Sequence, residues 1–260
     1  MIHIILFIIL INFIIIHYLL NKKEMFINHD IHFLNKYELK NILLQDKDQY
    51  YQTFFKKDFE VRKINNINDY LKIISKSVCD YHSSEKKKII DSIEKINKHI
   101  KKIKNKYPQF HFIHLDKFLS LPWKFGLVCS KKYENGLPHT RQQYIIFEKK
   151  YLENISQKSL MKTLIHEKVH VYQKMYPQDI QYFLNHHQFK KIKPREAKDL
   201  IRANPDLDNF IYHDKHFNTY KAVYNNDAIN LEDITYFPHD TQFYEHPFER
   251  MAIEFEKIIN

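Results

Sequence analysis

The sequence predicts an α+β fold set behind an apolar N-terminal helix, and three observations carry that expectation. Residues 89–103 and 160–172 repeat their apolar positions at helical spacing. Residues 107–152 break into short apolar runs separated by turn residues, which is the pattern of strands in a small mixed sheet. Residues 2–20 are almost unbroken Ile, Leu and Phe. At 260 residues and 44% hydrophobic, the chain has room for one ordinary domain plus appendages. Its expected division is an anchor at 1–21, a stalk or accessory segment at 22–65, and the main domain at 66–260.

Ile, Lys, Asn, Phe and Tyr dominate while Gly occurs twice. These are residues of A/T-rich codons, so much of the lysine excess reflects coding. A net charge of +10 would allow contact with nucleic acid or anionic lipid. No nucleic-acid motif accompanies it, so no nucleic-acid partner is expected. Cys79 and Cys129 lack metal-ligand spacing and cannot form a structural zinc site by themselves; they can pair only in an oxidising compartment.

Residues 2–20 would span roughly 28 Å as a helix, close to the hydrocarbon thickness of a bilayer. No Lys or Arg precedes the run and Asn-Lys-Lys follows it, so an uncleaved single-pass anchor is expected. Lys22 and Lys23 then leave the large domain on the cytosolic face. The polar segment to residue 65, with Tyr50-Tyr51 and Phe54-Phe55, carries no assignable function. Residues 66–106 are expected to be helical, with Ser83 or Ser84 as a cap and Ile89, Ile93, Ile96, Ile100 and Ile103 as one apolar stripe. The lysines around that stripe suit a solvated outer face better than a lipid contact. Runs at 110–115, 127–129 and 144–147 supply the strands.

The next helix contains His166-Glu167-Lys168-Val169-His170. Ser156 or Ser159 can start it, Leu160, Leu164, Ile165, Val169 and Tyr172 form its apolar positions, and Pro177 stops it. Histidines four apart share a helix face and can present two imidazoles to one metal ion. Glu167 lies about 100° around, beside that position. The competing reading is a buried helix with two core histidines. Beyond Pro177, residues 194–203 suggest a short helix, Asn204-Pro205-Asp206 a turn, and residues 219–224 and 229–237 strands. In the last element Pro247 takes a first helical position, Phe248, Met251, Ala252, Phe255 and Ile259 form a stripe, and Glu249 flanks it.

Residues 164–173 resemble the active-site helix of the zincin metallopeptidases. Lys168 departs from the usual uncharged residue, but about 200° from His166 it should point away from the metal. Gln173 and Tyr176 stand where the metzincin branch would have Gly and His. Glutamate-type zincins take a third ligand from a later helix, with a small residue three positions on, and Glu249 with Ala252 fits. The resemblance therefore implies one Zn2+ per chain held by His166, His170 and Glu249, with Glu167 as general base and a peptide or protein substrate.

It also implies an upper lobe of small sheet plus motif helix, over a mostly helical lower lobe. The strand at 143–147 would be the edge strand along which an extended peptide adds. Rivals for the third ligand are Glu245, His246, His213, His216, His239, His186 and His187, and Glu249 could instead serve a capping box. Tyr244, His246 and Tyr212 are candidate oxyanion donors. An Asp four residues after the ligand Glu is absent, Ile253 standing there, so what orients the histidines is unassigned. The whole resembles glutamate-type zincins of large DNA viruses with A/T-rich genomes, implying a virion or host membrane. An inactive zincin-fold scaffold tethered to the membrane is the alternative.

Overall fold

The computed structural model describes residues 31–103, 112–238 and 244–259. The expected anchor at residues 2–20 and its flanking lysines lie outside these residues. Among the described residues no helix is long and apolar enough to cross a membrane.

The architecture is α+β, with nine α-helices and two sheets among the described residues. The first sheet contains β1 (Ile31–Phe33), β2 (Val78–Cys79), β3 (Trp123–Val128), β4 (His139–Arg141) and β5 (Tyr144–Glu148). Its order is β1-β3-β5-β4, with β2 on β3; β1 and β5 run parallel to β3, whereas β2 and β4 are antiparallel to their partners. The edge strand is thus β4, not the expected run at 143–147. Ile145, Ile146 and Phe147 are buried in succession, as a strand covered on both faces requires, and they form the interior β5. The second sheet, β6 (Lys190–Pro194), β7 (Phe210–His213), β8 (Thr219–Tyr224) and β9 (Ile234–Phe237), is wholly antiparallel. It replaces the mostly helical lower lobe. Alternating burial of Tyr220, Ala222 and Tyr224 fits one covered sheet face, which a helical period would not give.

Helices α1 (Lys36–Gln45), α2 (Lys56–Val61) and α3 (Ile67–Ser77) precede α4 (Ser83–Ile103). The helical expectation for 66–106 is therefore split by β2, whose pairing with β3 aligns Cys79 beside Leu127. That register brings Cys79 and Cys129 to a Cα separation of 5.9 Å, and the two are disulfide-bonded. The apolar stripe is as expected: Ile89, Ile93, Ile96 and Ile100 are buried in the main core. The run at 112–115 is not a strand. Phe112 packs on Phe183 and His114 N–H donates to Tyr172 Oη, after which α5 (Leu115–Ser120) begins. Helices α6 (Lys149–Asn154), α7 (Gln157–Met175) and α8 (Pro177–His186) follow, and α9 (Pro247–Glu256) closes the fold against α7. The short helix expected at 194–203 shrinks to one 3-10 turn at Ala197–Asp199. Arg195, bonded to Asp58 Oδ2 and Ile201 O, ties that segment down.

A buried ionic network joins residues 50–62 to the rest. Glu134 accepts from Arg62, from Tyr70 Oη at 2.5 Å and from Tyr50 Oη at 2.9 Å. Asp58 accepts from Ala203 N–H at 3.0 Å, from Tyr224 Oη at 3.0 Å and from Arg195. Burial pushes the Glu134 carboxyl up, but Arg62 and the tyrosine hydroxyl outweigh it and hold it at about 2, below the usual 4.5. A depressed carboxyl stabilises the fold above the unfolded value, and the stabilisation is lost as pH falls from 4.5 toward 2. The shift corresponds to about 3 kcal/mol. Glu134→Gln should lose about that much at pH 7 in urea unfolding and show a flatter acid limb between pH 5 and 2; an acid limb as steep as the parent's would contradict this assignment.

Candidate metal centre

Ser156 caps α7 by accepting from Ser159 N–H at 3.1 Å, and the helix ends at Met175 because Pro177 opens α8. Leu160, Leu164, Ile165, Val169 and Tyr172 are fully buried, which fixes the rotation of α7 and turns His166 and His170 toward α9. Lys168 leaves on another face, as its spacing predicts, and donates to Leu121 O beside the Trp123 ring. On α9, Met251 and Ala252 are fully buried, so the small Ala252 side chain lets the two helices approach.

This crossing brings three donors together. His166 Nε2 lies 3.1 Å from His170 Nε2, and Glu249 Oε2 lies 3.3 Å and 3.7 Å from those two nitrogens. Bonds of about 2.0–2.1 Å at tetrahedral angles require ligand atoms about 3.3 Å apart, so the donor set fits zinc with a fourth position free. Glu249 is the third residue of α9, but it closes no capping box: His246 caps the helix, its Nδ1 accepting from Phe248 N–H. The other Glu249 oxygen accepts from Asn204 Nδ2 at 3.2 Å.

The groups that orient the imidazoles are present, though not where the family pattern would put them. His166 Nδ1 meets Glu256 Oε2 at 3.1 Å. His170 Nδ1 meets Gln173 Oε1 at 2.8 Å, and Gln173 Nε2 donates to Phe248 O. With Nδ1 donating outward, each ring turns Nε2 to the centre. Glu256 lies seven residues after Glu249, on nearly the same helix face. That spacing was the available signal.

Burial disfavours charge on the imidazoles, but Glu249, with Glu256 at His166, raises both above the ordinary histidine value. Burial likewise works against the Glu249 carboxylate, and His170 and His166 hold it well below its usual range. The cluster therefore favours positive charge between its members. Glu167 is buried and its Oε2 accepts no hydrogen bond among the described residues. Burial, and then the Asp206 charge, push its carboxyl up to about 8.

The cluster opens on a cavity of about 560 Å³ lined by His166, Glu167, Glu249, Glu256, Asp206 and Tyr236, among others. The rival ligands are engaged elsewhere. Glu245 pairs with Arg202 and accepts from Asn204, His246 pairs with Asp208, and His213 bonds Asp214 O and stacks on Phe217. His216 is exposed, and His186 and His187 pack around Phe183 and Tyr182. His239 lies outside the described residues. Of the oxyanion candidates, Tyr212 donates to Asp208 and faces a different cavity, while Tyr244 packs on the core. Tyr151, Tyr236 and Arg202 line the cavity instead. Sequence reasoning missed them because strand pairing and loop closure brought them there. A scan against protein-family models, a search of curated proteins and a search of solved structures each find no match to this chain.

Zinc competition against a chromophoric chelator tests the assignments. Glu249→Ala should abolish tight binding and Glu245→Ala should leave it unchanged, whereas Glu256→Ala and Gln173→Ala should each weaken it about 10- to 100-fold. Undiminished affinity in Glu249→Ala would remove it from the site.

Proposed function

We propose that this chain is a membrane-anchored, zinc-dependent metalloendopeptidase with a zincin-like domain. The observation that carries the reading is the convergence of His166, His170 and Glu249 beside a buried Glu167 oxygen that has no hydrogen-bond partner among the described residues, in an open cavity. When bound, zinc supplies Lewis acidity to water and to a peptide carbonyl. His166, His170 and Glu249 hold the metal, and their orienting partners keep Nε2 in place. Glu167 takes the proton from the attacking water and passes it to the leaving amine. Burial and Asp206 raise its carboxyl, and a cation beside it would favour the ionised base. Tyr151, Tyr236 or Arg202 donates to the developing negative charge. Further support is the element order of helix, sheet, motif helix and later ligand helix, together with an antiparallel edge strand, β4, whose neighbouring residues line the cavity.

The substrate is a peptide or protein, with no nucleic-acid partner, and residues 2–20 hold the chain to a virion or host membrane. Lys22 and Lys23 favour a cytosolic domain. The Cys79–Cys129 bond favours an oxidising side of the membrane, and it outweighs two lysines.

Glu167→Gln should lower cleavage of fluorescein-labelled casein by about 10²- to 10⁴-fold while zinc stays bound. Full activity in that variant would overturn the mechanism, and a zinc-loaded parent that cleaves nothing would leave a scaffold. Chain recovered from thiol-blocked cells should carry unalkylated cysteines; alkylation of both Cys79 and Cys129 would return the domain to the cytosol.

A further inference from the structure

Strand β4 is one edge of the first sheet, and at its centre the outward backbone groups belong to Thr140. They are already occupied. Thr140 N–H donates to Asp206 Oδ1 at 2.6 Å, and Thr140 O accepts from Lys174 Nζ at 3.0 Å. The side chain is held by the same pair, since Oγ1 donates to Asp206 at 2.6 Å and accepts from Lys174 at 2.6 Å. Lys174 also binds Pro205 O at 2.8 Å, so one lysine on the motif helix fastens the 204–206 turn onto the strand. These are the bonds that an added peptide strand would make.

The turn also divides a space. Leu137, Pro138 and His139 line the 560 Å³ cavity over the metal centre, whereas Gln142, three residues further along the chain, lines a second cavity of about 940 Å³. Asn204, Pro205 and Asp206 line both. The two cavities thus adjoin across this turn, one reaching the chain before Thr140 and the other after it. Its ends are pinned: Ala203 N–H is bound by Asp58, and the Asp208 carboxylate by His246, Tyr212 and Lys191. Between the pins, Asn204 bonds the carboxylates of Glu245 and Glu249, and its side-chain oxygen accepts from Asp206 N–H.

We infer that residues 204–206 are a strap lying where an extended peptide would pair with β4, and that peptide entry requires its displacement into the larger cavity. The inference rests on the peptidase reading for what enters, but not for the motion. Displacement frees Thr140 N–H and C=O for a substrate strand, joins the two cavities, and withdraws Asp206 from the neighbourhood of Glu167. The chain therefore holds its own groove shut with side chains of this turn and of the motif helix.

Amide hydrogen exchange on the full chain tests the motion without any catalysis. Thr140 N–H should exchange at least about 100-fold faster than the Ile145 and Ile146 amides of β5, through a local opening. Asp206→Ala should speed Thr140 about tenfold further and leave Ile145 and Ile146 unchanged. Thr140 exchanging in step with those two amides would overturn the strap, because the edge would then open only with the whole sheet. The variant carrying Thr140→Cys and Asp206→Cys, joined by a short bis-maleimide, should cleave fluorescein-labelled casein at under about a tenth of the unjoined rate, with zinc content equal in both. Equal cleavage in joined and unjoined forms would overturn the gating. Absence of cleavage in the zinc-loaded parent would sink the peptidase reading instead, and the exchange result alone would then decide the strap.

Discussion

Two imidazoles one helical turn apart can share an ion with a carboxylate only if a second helix crosses within side-chain reach, and the crossing of α7 and α9 is the constraint on which the remaining structure depends. Fully buried apolar residues on α7 fix its rotation, and Met251, Ala252 and Phe255 do the same for α9. The contact is close because Ala252 is small. Each imidazole is then held at Nδ1, His166 by Glu256 from α9 and His170 by Gln173 from its own helix. Gln173 in turn bonds Phe248 O, so the same residue that orients an imidazole also ties the two helices together.

The electrostatics follow from this geometry. A cluster with Glu249 and Glu256 against the buried His170 and the half-buried His166 favours positive charge, and the neighbouring Glu167 is buried with an oxygen that accepts no hydrogen bond among the described residues. A group left in that condition is costly unless a bound species compensates it. The Arg62–Glu134 and Asp58–Arg195 pairs show the contrast, since they are equally buried but bonded by several partners. They also reach Ala203, immediately before the turn that lies over β4.

The most legible parts of the chain were those with short-range periodicity. His166, Glu167 and His170 share one helical turn, and Pro247, Glu249 and Ala252 mark a helix start with a close contact, so both halves of the donor set could be read from local spacing. The stripe from Ile89 to Ile100 and the strand at 219–224 were legible for the same reason. What failed depended on pairing at a distance. The run at 144–147 looked like an edge strand because it precedes the motif helix, but its unbroken apolar residues belong to an interior strand, and the polar His139–Arg141 takes the edge. Two strands of the second sheet fall within the runs at 219–224 and 229–237, but their pairing into that sheet and the approach of Asp206 and Tyr236 to the cavity have no local signature. The apolar run at 2–20 was legible from composition and length alone, and it lies outside the described residues.

The central claim is a tetrahedral zinc site on this helix crossing. X-ray absorption at the zinc edge, recorded on the full chain after dialysis with one equivalent of zinc, tests it most directly. Four light ligands at about 2.0–2.1 Å are expected, with the multiple-scattering signature of two imidazoles, reduced to one in His166→Ala. A six-coordinate shell of oxygens without imidazole, or zinc lost on dialysis from a folded chain, would contradict it.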